Sequence, residues 1–171
     1  MSYIIHIIFY IYYMKAVTIK ELRDNLTNCT PKELRDLTLR LARFKKENKE
    51  LLTYLLYEAS DESSFIAGVK KEIDLQFEEI NKKSYYLIKK SVRKILSYTR
   101  KNIRYSLKKE TEVELLIYFC TKLKKLTPSI HRNTGLQNLY IRLINLIRKK
   151  LTSLHEDLQF DYGLELRDLV S

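Results

Sequence analysis

Apolar residues recur along most of the chain at three- and four-residue spacing, and polar residues that cap helices punctuate them. Thr18 precedes Ile19, Leu22 and Leu26, which share one face; the spacing predicts a short helix over residues 18–28. Thr30-Pro31-Lys32-Glu33 is a fuller start signal: a Thr cap, Pro at the first helical position and Glu completing a capping box. The helix that follows is expected to turn Leu34, Leu37, Leu41 and Phe44 inward. The stretch KKENKE (45–50) interrupts that face. Either Asn48 caps a third helix holding Leu51, Leu52, Leu55 and Leu56, or one helix runs straight through.

SDESS (60–64) is a cluster of turn and cap residues. Beyond it Phe65, Val69, Ile73, Phe77 and Ile80 form an inner stripe, with Glu72, Asp74, Glu78 and Glu79 outside. Asn81 and Ser84 flank the next start, and Ile88, Val92, Ile95, Leu96, Thr99 and Ile103 carry that helix to about Ser106. Thr111-Glu112-Val113-Glu114 reads as a second capping box, opening a helix through Leu115, Leu116, Tyr118, Phe119, Leu123 and Leu126. Pro128 stops it. The last helix starts near Asn133 and carries Leu136, Leu139, Tyr140, Leu143, Ile144, Ile147, Leu151 and Leu154, with Gly163 as a C-terminal stop.

The predicted fold is all-α: six or seven amphipathic helices in a bundle or a short irregular stack of helical hairpins. Composition agrees. The chain has three Gly and two Pro, too few for the tight turns of a strand-rich fold. No fixed-period repeat is present, which leaves a regular solenoid without support. The domain plan is an extension over 1–13, a single helical domain over 14–163 and a short tail over 164–171.

The opening MSYIIHIIFYIYYMKAV stands apart. Its apolar core, Ile4 to Tyr13, is half the length a membrane-crossing helix needs. No Lys or Arg precedes it and no small-residue cleavage site follows, so it does not read as a signal peptide. The cap signals begin after Met14, and the expectation is that translation starts there. Cys29 and Cys120 lie far apart and form no C-x-x-C pair, which suits two reduced thiols in the cytoplasm. Asn25 and Asn28 open two glycosylation-type triplets, a pattern short enough to recur by chance.

Charge changes the picture most. Residues 81–109, NKKSYYLIKKSVRKILSYTRKNIRYSLKK, hold eleven Lys or Arg and no Asp or Glu. The chain carries 32 basic and 21 acidic residues, a net charge of +11, so this one segment accounts for the whole excess. Lys82, Lys89, Arg93, Arg100, Arg104 and Lys108 recur near the helical period as one stripe; Lys83, Lys90, Lys94 and Lys101 form a second, with Tyr86 and Tyr105 among them. A helix of about 25 residues is about 37 Å long, enough to follow several phosphates, each neutralised with release of counterions. Tyr rings add stacking on unpaired bases. The competing reading is that the acidic outer face of the preceding helix covers part of this row and cancels its field.

Familiar catalytic constellations are missing from the sequence. Gly68, Gly135 and Gly163 are isolated, which excludes the glycine-rich phosphate loops. His155 with Glu156, Asp157 and Asp161 falls short of a converging metal set. Cys120 sits in LLIYFCTKL as a small core residue, and a pairing with His131 is the weakest alternative. The chain has thirteen Tyr and no Trp; Tyr54, Tyr57, Tyr118 and Tyr140, at helix-interior spacing, are read as core-edge rings with wet hydroxyls. No cofactor, metal or membrane contact is expected.

From Met14 to about residue 169, TPKELRDLTLRLARFKKENKELLTYLLYEASD, INKKSYYLIKKSVRKI, KKETEVELLIYFC and LQNLYIRL resemble a family of uncharacterised bacterial helical proteins. That resemblance implies a bacterial helical domain and assigns no functional residue. The leading functional expectation is a non-enzymatic binding or adaptor protein whose basic face over 82–109 engages nucleic acid or another polyanion. The runner-up is an interaction scaffold with an acidic protein partner, and an enzyme comes third.

Overall fold

A computed structural model of the chain describes residues 16–170. These residues form eight α-helices and no strand: α1 (Ile19–Thr27), α2 (Pro31–Phe44), α3 (Lys46–Thr53), α4 (Glu62–Glu78), α5 (Tyr85–Ser106), α6 (Lys109–Lys124), α7 (Thr134–Leu151) and α8 (Glu156–Val170). A π-helical turn, Tyr54–Glu58, follows α3, and a single 3-10 turn, Ile130–Arg132, precedes α7. The chain is all-α as expected, with eight helices rather than six or seven. The extension over 1–13 and the start at Met14 lie outside the described residues. Among the described residues no helix is long and apolar enough to cross a membrane.

Two local features supply the additional helices. Lys45 is extended, with φ −140° and ψ 145°, and separates α2 from α3. Asn48 does not cap α3; its side-chain amide donates to the Leu41 carbonyl at 2.8 Å, across the break. At the other end, Gly163 does not stop the chain. It lies inside α8, and the tail expected over 164–171 is helical through Val170. A glycine costs a helix interior about 1 kcal/mol, whereas burying a Leu side chain contributes about 1.5–3 kcal/mol. Leu166 and Leu169 are both buried. The Tyr140 hydroxyl donates to the Leu169 carbonyl at 2.7 Å, and the Lys124 ammonium donates to the Asp168 carbonyl at 2.8 Å.

The chain divides into two compact units between Lys49 and Glu50. In the first, Thr18 and Thr30 each form the full capping box, with Glu21 and Glu33. No residue of α1, α2 or α3 is buried. Leu34, Leu37, Leu41 and Phe44 therefore do not turn into a core; Phe44 is 76% exposed. Among the described residues of this unit, the short helices supply no second layer against which an apolar stripe can close.

The second unit holds the core. Its centre is α6, which touches α4, α5, α7 and α8. Val113, Leu115, Leu116, Ile117, Phe119, Cys120 and Leu123 are buried over more than half of its circumference, as a helix with several neighbours requires. The α4 stripe Phe65, Val69, Ile73, Phe77 and Ile80 is buried as its spacing predicts, and Asp61 caps the helix by accepting from the Ser64 amide at 3.0 Å. Ser84 caps α5 and Asn133 caps α7 in the same way. Ahead of α4 the π turn shifts the register. Tyr54 is buried against Phe65, with ring centroids 4.7 Å apart, while Leu55 and Leu56 are exposed.

A second capping expectation also moves. α6 begins at Lys109, two residues before Thr111, and Lys108 occupies its cap position without a side-chain bond. Leu107, at φ 58°, ends α5 in the left-handed region, with its amide on the Ile103 carbonyl at 3.0 Å. Thr111 is buried inside the first turn, and its hydroxyl donates to Glu62 at 2.6 Å instead of capping.

Candidate nucleic-acid interface

The 22 residues of α5 divide by helical period. Ile88, Val92, Ile95, Leu96 and Thr99 face the core and are buried, with Ile103 partly buried beside them. The opposite side carries Tyr86, Lys90, Arg93, Ser97, Arg100 and Arg104 at alternating four- and three-residue steps, with Lys94 beside them. All of these are exposed, Tyr86 at 73%. At 1.5 Å per residue, Lys90 to Arg104 spans about 21 Å. Among the described residues none of these five cations forms an ion pair. Lys82 and Lys83 are exposed in the turn ahead of the helix.

Four of the residues expected on this surface are placed elsewhere. Tyr105 is buried, and its hydroxyl donates to Glu50 at 2.8 Å. Lys101 is half-buried and ion-paired to the same carboxylate at 2.5 Å. Lys108 lies beyond the end of α5 and pairs with Glu62 at 3.0 Å. Lys89 is half-buried, and its stem passes the start of α7; a Cβ on Gly135 would lie 3.4 Å from the Lys89 Cδ. The two expected stripes therefore merge into one outward row of Lys90, Arg93, Lys94, Arg100 and Arg104.

The acidic face of α4 does not cover this row. Asp74 accepts from the Tyr118 hydroxyl at 2.7 Å and pairs with Lys122 at 2.7 Å, both on α6. Burial opposes the ionised form of Asp74, but Lys122 and Tyr118 outweigh it and hold the carboxyl below its usual range. Glu72 accepts from Gln76, and Glu78 and Glu79 are exposed. Glu62 is the one α4 carboxylate that pairs with the basic segment among the described residues.

Glu62 gathers four donors: the hydroxyls of Tyr54, Ser106 and Thr111, and the Lys108 ammonium. Burial alone would raise this carboxyl. The hydrogen bonds outweigh it and bring the group to about 2, from an ordinary 4.5. Glu50 and Glu62 are the residues the sequence pattern left unmarked; each meets partners 44 to 55 positions away.

Cys120 is fully buried, and burial pushes its thiol up to about 12, so it carries no thiolate at neutral pH. Among the described residues no three His, Cys, Asp or Glu converge on a metal position. His155 and Asp157 lie 3.4 Å apart and fully in solvent.

Comparison of the chain with family models, curated proteins and solved structures finds no match. The functional reading rests on the geometry of α5.

Proposed function

We propose that this chain is a bacterial cytoplasmic binding protein that engages single-stranded nucleic acid along the outward face of α5. The observation that carries the reading is the row of five exposed cations, Lys90 to Arg104, without counter-ions among the described residues and with the exposed Tyr86 ring in line. Guanidinium groups suit phosphate oxygens, and a Tyr face accepts a base of any sequence. The absence of base-reading order in the row favours backbone-tracking, sequence-tolerant binding.

Fluorescence anisotropy with a labelled oligonucleotide tests this. Five neutralised phosphates on a single strand give a log–log salt slope of about −3.5, which is a loss of about 100-fold between 50 and 200 mM salt. Arg93→Glu with Arg100→Glu should abolish binding at low salt while leaving the thermal melt unchanged. No binding of the unaltered protein to DNA or RNA at low salt would sink the reading.

A second reading, a scaffold for an acidic protein, draws on the same face and on one further observation: Leu22, Leu26, Leu34, Leu37, Leu41 and Phe44 are exposed on α1 and α2. It is favoured over the first if polyglutamate binds the protein and oligonucleotide does not.

A further inference from the structure

The flank of α5 between the basic row and the core borders a cleft of about 550 Å³, within the size range of small-ligand sites. Its walls come from residues of the second unit: the α3 end and π turn, the first turns of α4, and α5 from Tyr98 to Tyr105. Four Tyr rings line it, Tyr54, Tyr57, Tyr98 and Tyr105, and its charged lining is Glu50, Glu58, Asp61 and Lys101. Three carboxylates against one ammonium make it locally negative, in a chain of net charge +11. We propose that this cleft binds a small organic cation through an ammonium group, held between Tyr faces and the Glu58 carboxylate.

The protein's own ammonium shows that the setting suits this chemistry. Lys101 Nζ rests on Glu50, 5.7 Å from the Tyr98 ring centre and 5.9 Å from that of Tyr105. These are distances at which a cation is attracted to a ring face. Asp61 is already used, since both of its oxygens accept from Ser63 or Ser64. Glu58 is half-buried and has no side-chain hydrogen bond or ion pair among the described residues, so its charge is available. Burial, and then the charges of Glu72, Glu50 and Glu58, push the Tyr98 hydroxyl above its usual range, although Asn102 opposes them. A phosphate or carboxylate ligand would meet the carboxylates of the lining unfavourably.

Gly68 stands in the cleft wall. It sits inside α4, where glycine costs about 1 kcal/mol relative to alanine. Nothing lies within 4 Å of where its Cβ would be, and its φ is not positive, so neither packing nor backbone shape requires it. The position is exposed, and a larger side chain there would extend from the cleft wall into open space.

Amide shift mapping on the full chain tests the proposal. With three glycines in the sequence, the Gly68 resonance is readily assigned, and Gly135 and Gly163 serve as internal controls. Choline and spermidine are titrated separately, with 3,3-dimethylbutan-1-ol as the uncharged counterpart of choline. The expected result is saturable movement of the Gly68 and Val69 amides with at least one cation, none at Gly135 or Gly163, and none with the alcohol. Choline alone would identify a quaternary ammonium ligand, and spermidine alone a polyamine; either supports the site. Read at Val69, Gly68→Leu should abolish binding and Gly68→Ala should retain it. Glu58→Gln, which keeps the side-chain shape and removes the charge, should weaken it about fivefold. No movement with either cation at tens of millimolar, equal movement with the alcohol, or full binding by Glu58→Gln would overturn the proposal.

Discussion

α2 opens with a reciprocal capping box and carries four large apolar residues along one side, yet none of its residues is buried. α6 opens with no side-chain cap, and eight of its sixteen residues are buried. The contrast separates two sources of helix stability. Capping sets where a helix begins and adds about 1 kcal/mol. Packing against other helices supplies most of the rest. Among the described residues of the first unit the local signals stand without enclosure; in the second unit, enclosure overrides them, moving the start of α6 ahead of Thr111 and carrying α8 through Gly163.

The largest expected effect tests this directly. Phe119 is fully buried and tilted against Phe77, with ring centroids 5.5 Å apart. Phe119→Ala should cost about 3–5 kcal/mol in denaturant unfolding. Leu37→Ala, on the exposed side of α2, should change stability by less than about 0.5 kcal/mol. Comparable losses would mean that α2 is enclosed after all.

Next in size is the Glu62 cluster. Its carboxyl is held at about 2 against an ordinary 4.5, so its contribution is complete above about pH 5 and is lost as pH falls through that interval. Between pH 7 and pH 3 this one group should remove about 2 kcal/mol of unfolding free energy. Asp61 and Asp74, also held low, add to the acid loss. Glu62→Gln should be less stable at pH 7 and show a shallower pH dependence; an unchanged slope in chemical denaturation would refute the cluster's role. The smallest effect belongs to the first unit. Thr30→Ala should raise hydrogen exchange in the first turn of α2 by about fivefold, corresponding to about 1 kcal/mol. It should leave the unfolding of the second unit untouched.

The same contrast explains how much of the structure the sequence makes legible. The caps at Thr18, Thr30, Ser84 and Asn133 depend on residues three positions away, and all four form. The inner stripes of α4 and α7 follow from period alone. What could not be read depends on distant partners. Thr111 is drawn from capping by Glu62, 49 positions earlier, and Tyr105 from the outward face by Glu50, 55 positions earlier. The exchange of Tyr54 for Leu55 and Leu56 in the core follows from the π turn, which has no period to detect. Most of the basic row was legible as charge on a helix; which of its members had counter-ions was not.

The Glu62 cluster also bears on how this sequence can change over time. Tyr54 comes from the π turn, and Ser106, Lys108 and Thr111 from the junction of α5 and α6, and all converge on one carboxylate. Losing a donor leaves the carboxylate less satisfied, whereas losing the carboxylate strands several donors together. Effects at these positions will not add. A substitution tolerated beside a neutral residue at position 62 will be harmful beside the acid, and the reverse. Relatives should therefore keep the set whole or replace it together, a pattern of epistasis that helix period alone does not foreshadow.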